Sequence, residues 1–184
     1  MSRTRVLTFV IALGLAGLRL AAQPMSVWLD VPFVKQEKGG CGAASVAMVM
    51  QYWIREGYYL PADEAQPGKI HAALFSSAAQ GTRASDLEQY LREHGFETVV
   101  FAGDWDDLRQ HLAQGRPLIV CLKPGTGENR RHYLVVAGID AERNVVLVND
   151  PARRKLAKMR RQSFEAEWKS ANSWTLLALP AEDR

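Results

Sequence analysis

Apolar residues recur at spacings of three and four through residues 41–55, directly after two consecutive glycines. They are Ala43, Val46, Ala47, Val49, Met50, Trp53 and Ile54. This periodicity is typical of an α-helix, and the apolar stripe is wide enough that most of the helix should be buried. Gly39 and Gly40 end the preceding segment, so Cys41 is expected in the first turn. The pattern therefore predicts a buried helix that begins at a cysteine and stops before Gly57.

The same reading of apolar and polar positions predicts the other elements. Helical spacing and stop signals predict helices over 69–79, 82–94, 104–114 and 163–169. Apolar runs predict strands over 27–34, 97–101, 117–122, 132–139, 144–149 and 174–179, and a loop is expected over 58–68. Helices come mostly before strands, which predicts a single α+β domain with one mostly antiparallel sheet.

The first 22 residues differ in composition from the rest of the chain. Two arginines precede an apolar run over 6–18, and two alanines, the second of them Ala22, end it. A basic start, an apolar middle and a small-residue exit are typical of a secretory signal peptide. We therefore expect a signal peptide over 1–22 and a mature domain over 23–184, periplasmic or secreted and not inserted in the membrane. An uncleaved anchor is the alternative, although the run is short for a membrane span.

The excess positive charge of the chain comes from this first stretch. The formal net charge is +3, from 23 basic and 20 acidic residues, and removing residues 1–22 leaves 20 of each. A domain without excess charge gives no reason to expect nucleic-acid binding. Many basic side chains flank the predicted strands 132–139 and 144–149. We expect a solvated face there, with a rim that attracts acidic substrate as the alternative; these residues are Arg130, Arg131, Arg153, Arg154, Lys155, Lys158, Arg160 and Arg161.

Cys41 carries the clearest chemical signal. Free N–H groups and the positive end of the helix dipole favour a thiolate in a first turn, which lowers the thiol pKa and creates a nucleophile. A small apolar residue packed at a helix start is the alternative. The other cysteine, Cys121, lies in the predicted buried strand 117–122. A disulfide between the two cysteines of an exported chain is a further alternative.

The hairpin predicted from strands 132–139 and 144–149 brings a histidine beside a carboxylate. If its turn is centred near Ala141, Asp150 lies opposite His132, within about one residue of register, and cross-strand neighbours point to the same face. Such a pair can supply the base and the orienting group of a nucleophile–base–orienter site. Only the contact with the cysteine then needs tertiary structure. The alternative is that His132 ends a strand and Asp150 begins a turn.

Three segments in this order resemble the C39-like cysteine peptidases of the papain-like clan. The segments are Gln36 to Ser45, His132 to Gly138 and Val148 to Pro151, and the resemblance spans about residues 28–179. It implies a papain-like fold in which the helix that bears the cysteine packs on a mostly antiparallel sheet that bears the histidine.

The resemblance also implies roles for individual residues. Cys41 would be the nucleophile, His132 the general base and acid, and Asp150 the group that orients the imidazole. Gln36 would supply the side chain of the oxyanion hole, together with the backbone N–H of Cys41.

The implied function is hydrolysis of peptide or amide bonds in a peptide or protein substrate, through a thioester and without metal or other cofactor. The best-known relatives cleave double-glycine leaders while fused to an ATP-driven exporter. This sequence has no nucleotide-binding motif, so that substrate is not expected here. Two alternatives stay open: another acyl transfer on the same triad, such as transglutamination or peptidoglycan amide cleavage, and a non-catalytic peptide-binding module.

Overall fold

One antiparallel sheet and five helices make up residues 26–125 and 131–181, the part of the chain that this computed structural model describes. The strands are β1 (Ser26–Trp28), β2 (Phe96–Ala102), β3 (Leu118–Leu122), β4 (His132–Asp140), β5 (Val145–Asn149), β6 (Ala157–Arg160) and β7 (Trp174–Pro180). The helices are α1 (Cys41–Arg55), α2 (Pro67–Leu74), α3 (Ala84–Glu93), α4 (Trp105–Ala113) and α5 (Arg161–Lys169). The signal peptide expected over 1–22 lies outside the described residues. None of the described helices is long and apolar enough to cross a bilayer.

The strands follow the order β2–β7–β3–β4–β5–β6, and β1 pairs with the turn end of β4. Helices cover both faces of this sheet. One cluster of buried residues joins α1, α2 and α3 to Cys121, Val135 and Leu176. A second cluster joins α4 and α5 to the opposite face, through residues such as Val120 and Val136. The predicted α+β class, with the cysteine helix on a mostly antiparallel sheet, is confirmed.

Burial on both faces explains the uninterrupted apolar sequence of β3. Neighbouring side chains of a strand point to opposite faces, so a strand covered on both sides must be apolar at every position. All five residues of β3 are buried. Cys121 belongs to this strand and points to the face that α1 covers.

Glycines fix the start of α1. Gly39 has a φ of +72°, in the left-handed region that glycine adopts at little steric cost. Gly40 is the N-cap, and Cys41 is the first helical residue, as the sequence predicts. A Cβ on Gly42 would lie 2.9 Å from the Cβ of Thr82. The glycines therefore set both the direction in which α1 begins and its close approach to the segment before α3.

Three elements differ from the prediction. The strand predicted over 27–34 spans only Ser26–Trp28: Pro32 has no backbone N–H for strand pairing, and the carbonyl oxygens of Val31 and Pro32 accept from a buried asparagine side chain described below. The helix predicted over 69–79 spans Pro67–Leu74. It begins before the predicted start because a proline fits the first turn, where its missing N–H needs no partner. Strand β6 was not predicted: it is short, lies at the sheet edge and buries only one of its four residues, so it lacks an apolar run.

The hairpin of β4 and β5 has another register than the one predicted. Asp140 pairs with Val145 at the turn, and a bulge lies between Val136 and Gly138. The turn is therefore centred more than one residue beyond Ala141. The prediction that Asp150 lies directly opposite His132 is therefore wrong. Asp150 follows the last residue of β5 and reaches the histidine diagonally, a geometry that also brings side chains on one face together.

Candidate active site

Cys41, His132 and Asp150 lie together where the start of α1 meets the hairpin. His132 is the first residue of β4, Asp150 follows β5, and its Oδ1 lies 2.7 Å from the Nε2 of His132. The Cys41 thiol interacts with the same imidazole from the helix side. The structure thus brings together three of the four predicted site residues, in the order thiol, imidazole, carboxylate.

The Asp150 carboxylate is fixed by its neighbours in the turn. Its side chain is 11% exposed, and its Oδ1 also accepts the backbone N–H of Ala152 at 3.0 Å. Burial by itself would raise the pKa of Asp150, but the His132 imidazole and the Ala152 N–H hold that pKa below its ordinary value. Arg153 lies 3.6 Å from the other carboxylate oxygen with a side chain that is 80% exposed, so solvent weakens this ion pair. Asp150 is therefore an anion that faces the imidazole.

The thiol and the imidazole shift each other's protonation. Burial by itself would raise the pKa of Cys41, but His132 and the backbone N–H groups of Tyr133 and Gly42 hold it below the ordinary value of a thiol. Burial would lower the pKa of His132, but hydrogen bonding to Asp150 and Cys41 raises it to about 9. Both shifts favour a thiolate beside an imidazolium, the pair that makes a cysteine nucleophilic.

Cys121 is chemically different. It is buried in β3, and burial raises the pKa of its thiol to about 11. Both cysteines are free thiols, so the structure does not contain the disulfide that the sequence left open. Thiolate character, on which nucleophilic reactivity depends, is therefore concentrated at Cys41.

Gln36, the fourth predicted residue, lines the same cleft as Cys41 and His132. Its backbone N–H donates to the carbonyl oxygen of Pro151 at 3.0 Å, which ties it to the turn that carries Asp150. Its buried side-chain Oε1 has no hydrogen-bond partner among the described residues. Gln36 thus lines the cleft and has a side-chain oxygen that no described residue engages.

The cleft itself is open and has a volume of about 890 Å³. One wall is the segment 79–84 before and at the start of α3, and another is formed by Lys123, Pro124 and residues 131–133 at the ends of β3 and β4. Ala152 and Ser170 complete the lining. In the described part of the chain, Cys41 thus lines an open cleft and is not enclosed in an internal cavity.

Asn149, immediately before Asp150, is a residue whose importance the sequence reading missed. Its fully buried side chain donates from Nδ2 to the carbonyl oxygens of Val31 and Pro32, at 3.0 and 3.2 Å. Its Oδ1 accepts the Leu156 N–H at 2.9 Å. Asn149 thereby connects the segment that leads to Gln36 with the loop that carries Asp150. The sequence did contain a signal: Asn149 stands between a buried strand and Asp150-Pro151, and a polar side chain in a buried position needs hydrogen-bond partners.

The other three histidines lie apart from this arrangement. His71, His94 and His111 are each partly buried. His71 lies against Glu37 at 3.4 Å, and His94 lies against Glu64 at 2.9 Å. Within residues 26–125 and 131–181, no group of three or more His, Cys, Asp or Glu residues is placed to bind a metal ion.

Solved structures with a similar fold are peptidase domains. A double-glycine-motif protease from an AMS/PCAT transporter, in complex with the leader peptide, has a TM-score of 0.63 and 22% identity over 84% of this chain and 95% of its own. A C39-like peptidase from Bacillus anthracis has a TM-score of 0.64 and 19% identity over 86% and 99%. The peptidase domain of Streptococcus ComA, a bifunctional ABC transporter of a quorum-sensing pathway, has a TM-score of 0.62 and 23% identity over 80% and 96%.

Identities at this level establish the fold alone. No curated protein sequence matches the chain. The family assignment instead rests on the sequence model of the Peptidase_C39 like family, which matches residues 28–176, most of the chain. The chain belongs to the Peptidase_C39 like family and is a cysteine peptidase.

Proposed function

We propose that this protein is an exported peptidase that hydrolyses peptide bonds with a triad of Cys41, His132 and Asp150. The observation that carries the proposal is the 2.7 Å contact between His132 and Asp150, with the Cys41 thiol beside the same ring in an open cleft. The nucleophile, the base and the group that orients the base are then within reach of one bound chain.

The first half of the reaction forms a thioester. The Cys41 thiolate attacks the carbonyl carbon of the scissile bond, and the electron pair of the C=O bond moves to its oxygen. The Cys41 backbone N–H and the Gln36 side-chain amide stabilise this oxyanion. Because Nε2 of His132 is bound to Asp150, its Nδ1 faces the thiol and gives its proton to the leaving amine. The C–N bond breaks, and the acyl group remains on sulfur.

The second half releases the acyl group to water. Neutral His132 accepts a proton from a water molecule, whose oxygen attacks the thioester carbonyl. The C–S bond then breaks, which yields the carboxylic acid product and the thiolate–imidazolium pair with which the cycle began; the released acid then ionises to the carboxylate by giving its proton to solvent. Asp150 keeps one tautomer of His132 in place and stabilises the imidazolium each time it forms.

The substrate in this proposal is a peptide or protein. The leader peptide is the ligand of the AMS/PCAT transporter protease, and a double-glycine specificity is not part of the proposal. Export rests on the signal-like pattern of residues 1–22.

Selective labelling tests the nucleophile. Limiting iodoacetamide near pH 6.5, followed by peptide mapping, should modify Cys41 well before Cys121, because a lowered thiol pKa leaves more thiolate at that pH. Preferential modification of Cys121 would contradict the assignment.

Digestion of a synthetic peptide library tests the reaction. The purified protein should produce new amino and carboxyl termini, and Cys41→Ala should abolish them, whereas Cys121→Ala should not. Addition of a primary amine separates hydrolysis from transglutamination, since the second reaction yields a product that carries the mass of the amine. A folded protein that binds peptides of the library but leaves them uncleaved would support the non-catalytic alternative.

A further inference from the structure

The cleft that contains Cys41 is lined by three cationic side chains. They are Arg83, Lys123 and Arg131. None of the three forms a salt bridge with another described residue, although most arginines elsewhere do. No aspartate or glutamate is among the described residues that line the cleft. Within the part of the chain that the structure describes, these three cations therefore have no ion-pair partner.

These cations lie on two walls of the cleft. Arg83 precedes α3 and belongs to the helical side. Leu122 and His132 are the last pair of the β3–β4 ladder. Lys123 follows the first of them and Arg131 precedes the second, so both cations lie at this end of the two strands. Cations therefore stand on both the helical wall and the strand wall of the cleft that contains Cys41.

The concentration of charge is local. Residues 23–184 contain 20 basic and 20 acidic residues, so the domain as a whole does not attract anions. Glu37, near the glycine turn, is paired with His71 at 3.4 Å. Asp86, on α3, lines a separate cavity with Lys69 and Tyr90. Among the described residues of this region, these carboxylates thus pair elsewhere or line another cavity, while the three cations line the cleft.

We propose that this cleft selects peptide segments that carry aspartate or glutamate close to the scissile bond. This inference rests on the proposed peptidase function, because the occupant must present an amide carbonyl to Cys41. The cations of the two walls would pair with acidic side chains on the two sides of that bond. In a half-enclosed cleft such pairs also speed the encounter of enzyme and substrate.

Matched substrates test the charge requirement. Ten-residue peptides randomised around a central bond should be cleaved mainly where Asp or Glu lies within about four residues, the reach of an extended chain over such a cleft. The best acidic peptide is then compared with a copy in which every Asp is Asn and every Glu is Gln. With two or more exposed ion pairs, kcat/KM should favour the acidic peptide about tenfold, and about 0.5 M salt should remove most of this preference.

Charge-neutralising variants test the residues. Arg83→Gln with Lys123→Gln should reduce kcat/KM for the acidic peptide about three- to tenfold and leave the amide copy within about twofold. The control is Lys158→Gln with Arg160→Gln, which removes the same charge from the exposed edge strand β6 and should change neither substrate. Arg131 is left intact because it adjoins His132.

The outcomes separate this inference from the function on which it rests. Equal cleavage of the acidic and amide peptides, or an equal loss in the cleft and control variants, would overturn the charge selectivity while the peptidase function stands. A protein that labels at Cys41 yet cleaves no library member would overturn the proposed function, and the selectivity with it.

Discussion

At Asp150, a single carboxylate takes part in both structure and proposed catalysis. Its Oδ1 accepts from the Ala152 N–H and contacts the His132 Nε2. An amide at this position keeps the shape but loses the charge that stabilises an imidazolium. The two roles can therefore be separated by substitutions of different severity.

Asp150→Asn should leave the protein folded and lower its turnover about 10- to 10³-fold. His132→Ala should abolish turnover. In a serine-protease triad the equivalent loss is about 10⁴, and a cysteine needs its base less because it is already partly ionised. Turnover and thermal unfolding are measured on the same samples. Asp63→Asn, at a surface carboxylate paired with Lys69, is the control and should be silent. Full activity of a folded Asp150→Asn protein would leave a Cys41–His132 dyad.

The pH profile should follow the thiolate–imidazolium pair. The pair exists above the lowered pKa of Cys41 and below that of His132, which is raised to about 9. As pH rises through about 9, His132 loses the proton that the leaving amine needs, so kcat/KM should fall. A rate that continues to rise beyond pH 10 would show that thiol ionisation alone controls the reaction.

Cys41→Ser provides an independent check on this coupling. Contact with Cys41 contributes to the raised pKa of His132, so the imidazole of the variant should titrate at a lower pH than that of the unmodified protein. Proton NMR of the histidine ring reports this directly. Cys121→Ser is the matched control, and the His132 titration should not move in it.

At the scale of elements, Asn149 joins segments that no strand pairing connects. Asn149→Ala removes two donated hydrogen bonds and one accepted hydrogen bond, and leaves the Val31 and Pro32 carbonyls and the Leu156 N–H with lost partners. Unsatisfied buried groups are costly, so we expect a loss of about 2–4 kcal/mol in the free energy of unfolding. Urea titration measures it, and Gln110→Ala, at an exposed amide, should change stability by less than about 0.5 kcal/mol.

The same substitution should lower turnover of the folded fraction, because Gln36 and Asp150 are attached to the two segments that Asn149 connects. A variant that loses stability but keeps full activity per folded molecule would limit Asn149 to a structural role.

Elements with a strong periodic signal could be predicted from the sequence, and those set by partners could not. The start of α1 follows from Gly39, Gly40 and the apolar stripe, all of which are local. The hairpin follows from its apolar runs, but its register depends on a bulge near Gly138, where a Cβ would lie 2.7 Å from the Val27 carbonyl oxygen of β1. The sequence pattern around Gly138 does not show that the glycine packs against β1, a strand that is distant in sequence. The predicted contact between His132 and Asp150 is present despite the wrong register, because the two side chains meet diagonally across the strands and not directly opposite each other.

The cleft shows the same division. Cys41, His132 and Asp150 belong to recognisable segments, whereas Arg83 and Lys123 lie in stretches with no chemical signal of their own. Only the packing of the segment before α3 near the start of α1, where Thr82 lies against Gly42, brings Arg83 to the site. The charge of the cleft is therefore a tertiary property.

At the scale of the whole molecule, the proposed export fixes where the mature chain should begin. The exit from the apolar run at Ala22 predicts a mature amino terminus near Gln23, which leaves β1 intact. Amino-terminal sequencing of the exported protein decides this. Membrane-bound material that begins at Met1 or Ser2 would favour the uncleaved anchor.

The position of β7 also sets an order in time. This strand, residues 174–180, lies between β2 and β3, and β2 pairs only with β7 among the described strands. The Trp53 indole of α1 donates to the Ala178 carbonyl oxygen at 3.0 Å. Contacts between segments this distant in sequence form slowly, since the loops that separate them must close first. A chain that emerges from the ribosome in order therefore cannot complete this sheet until residues 174–180 are made, and β2, made about 75 residues earlier, waits for its partner strand until then.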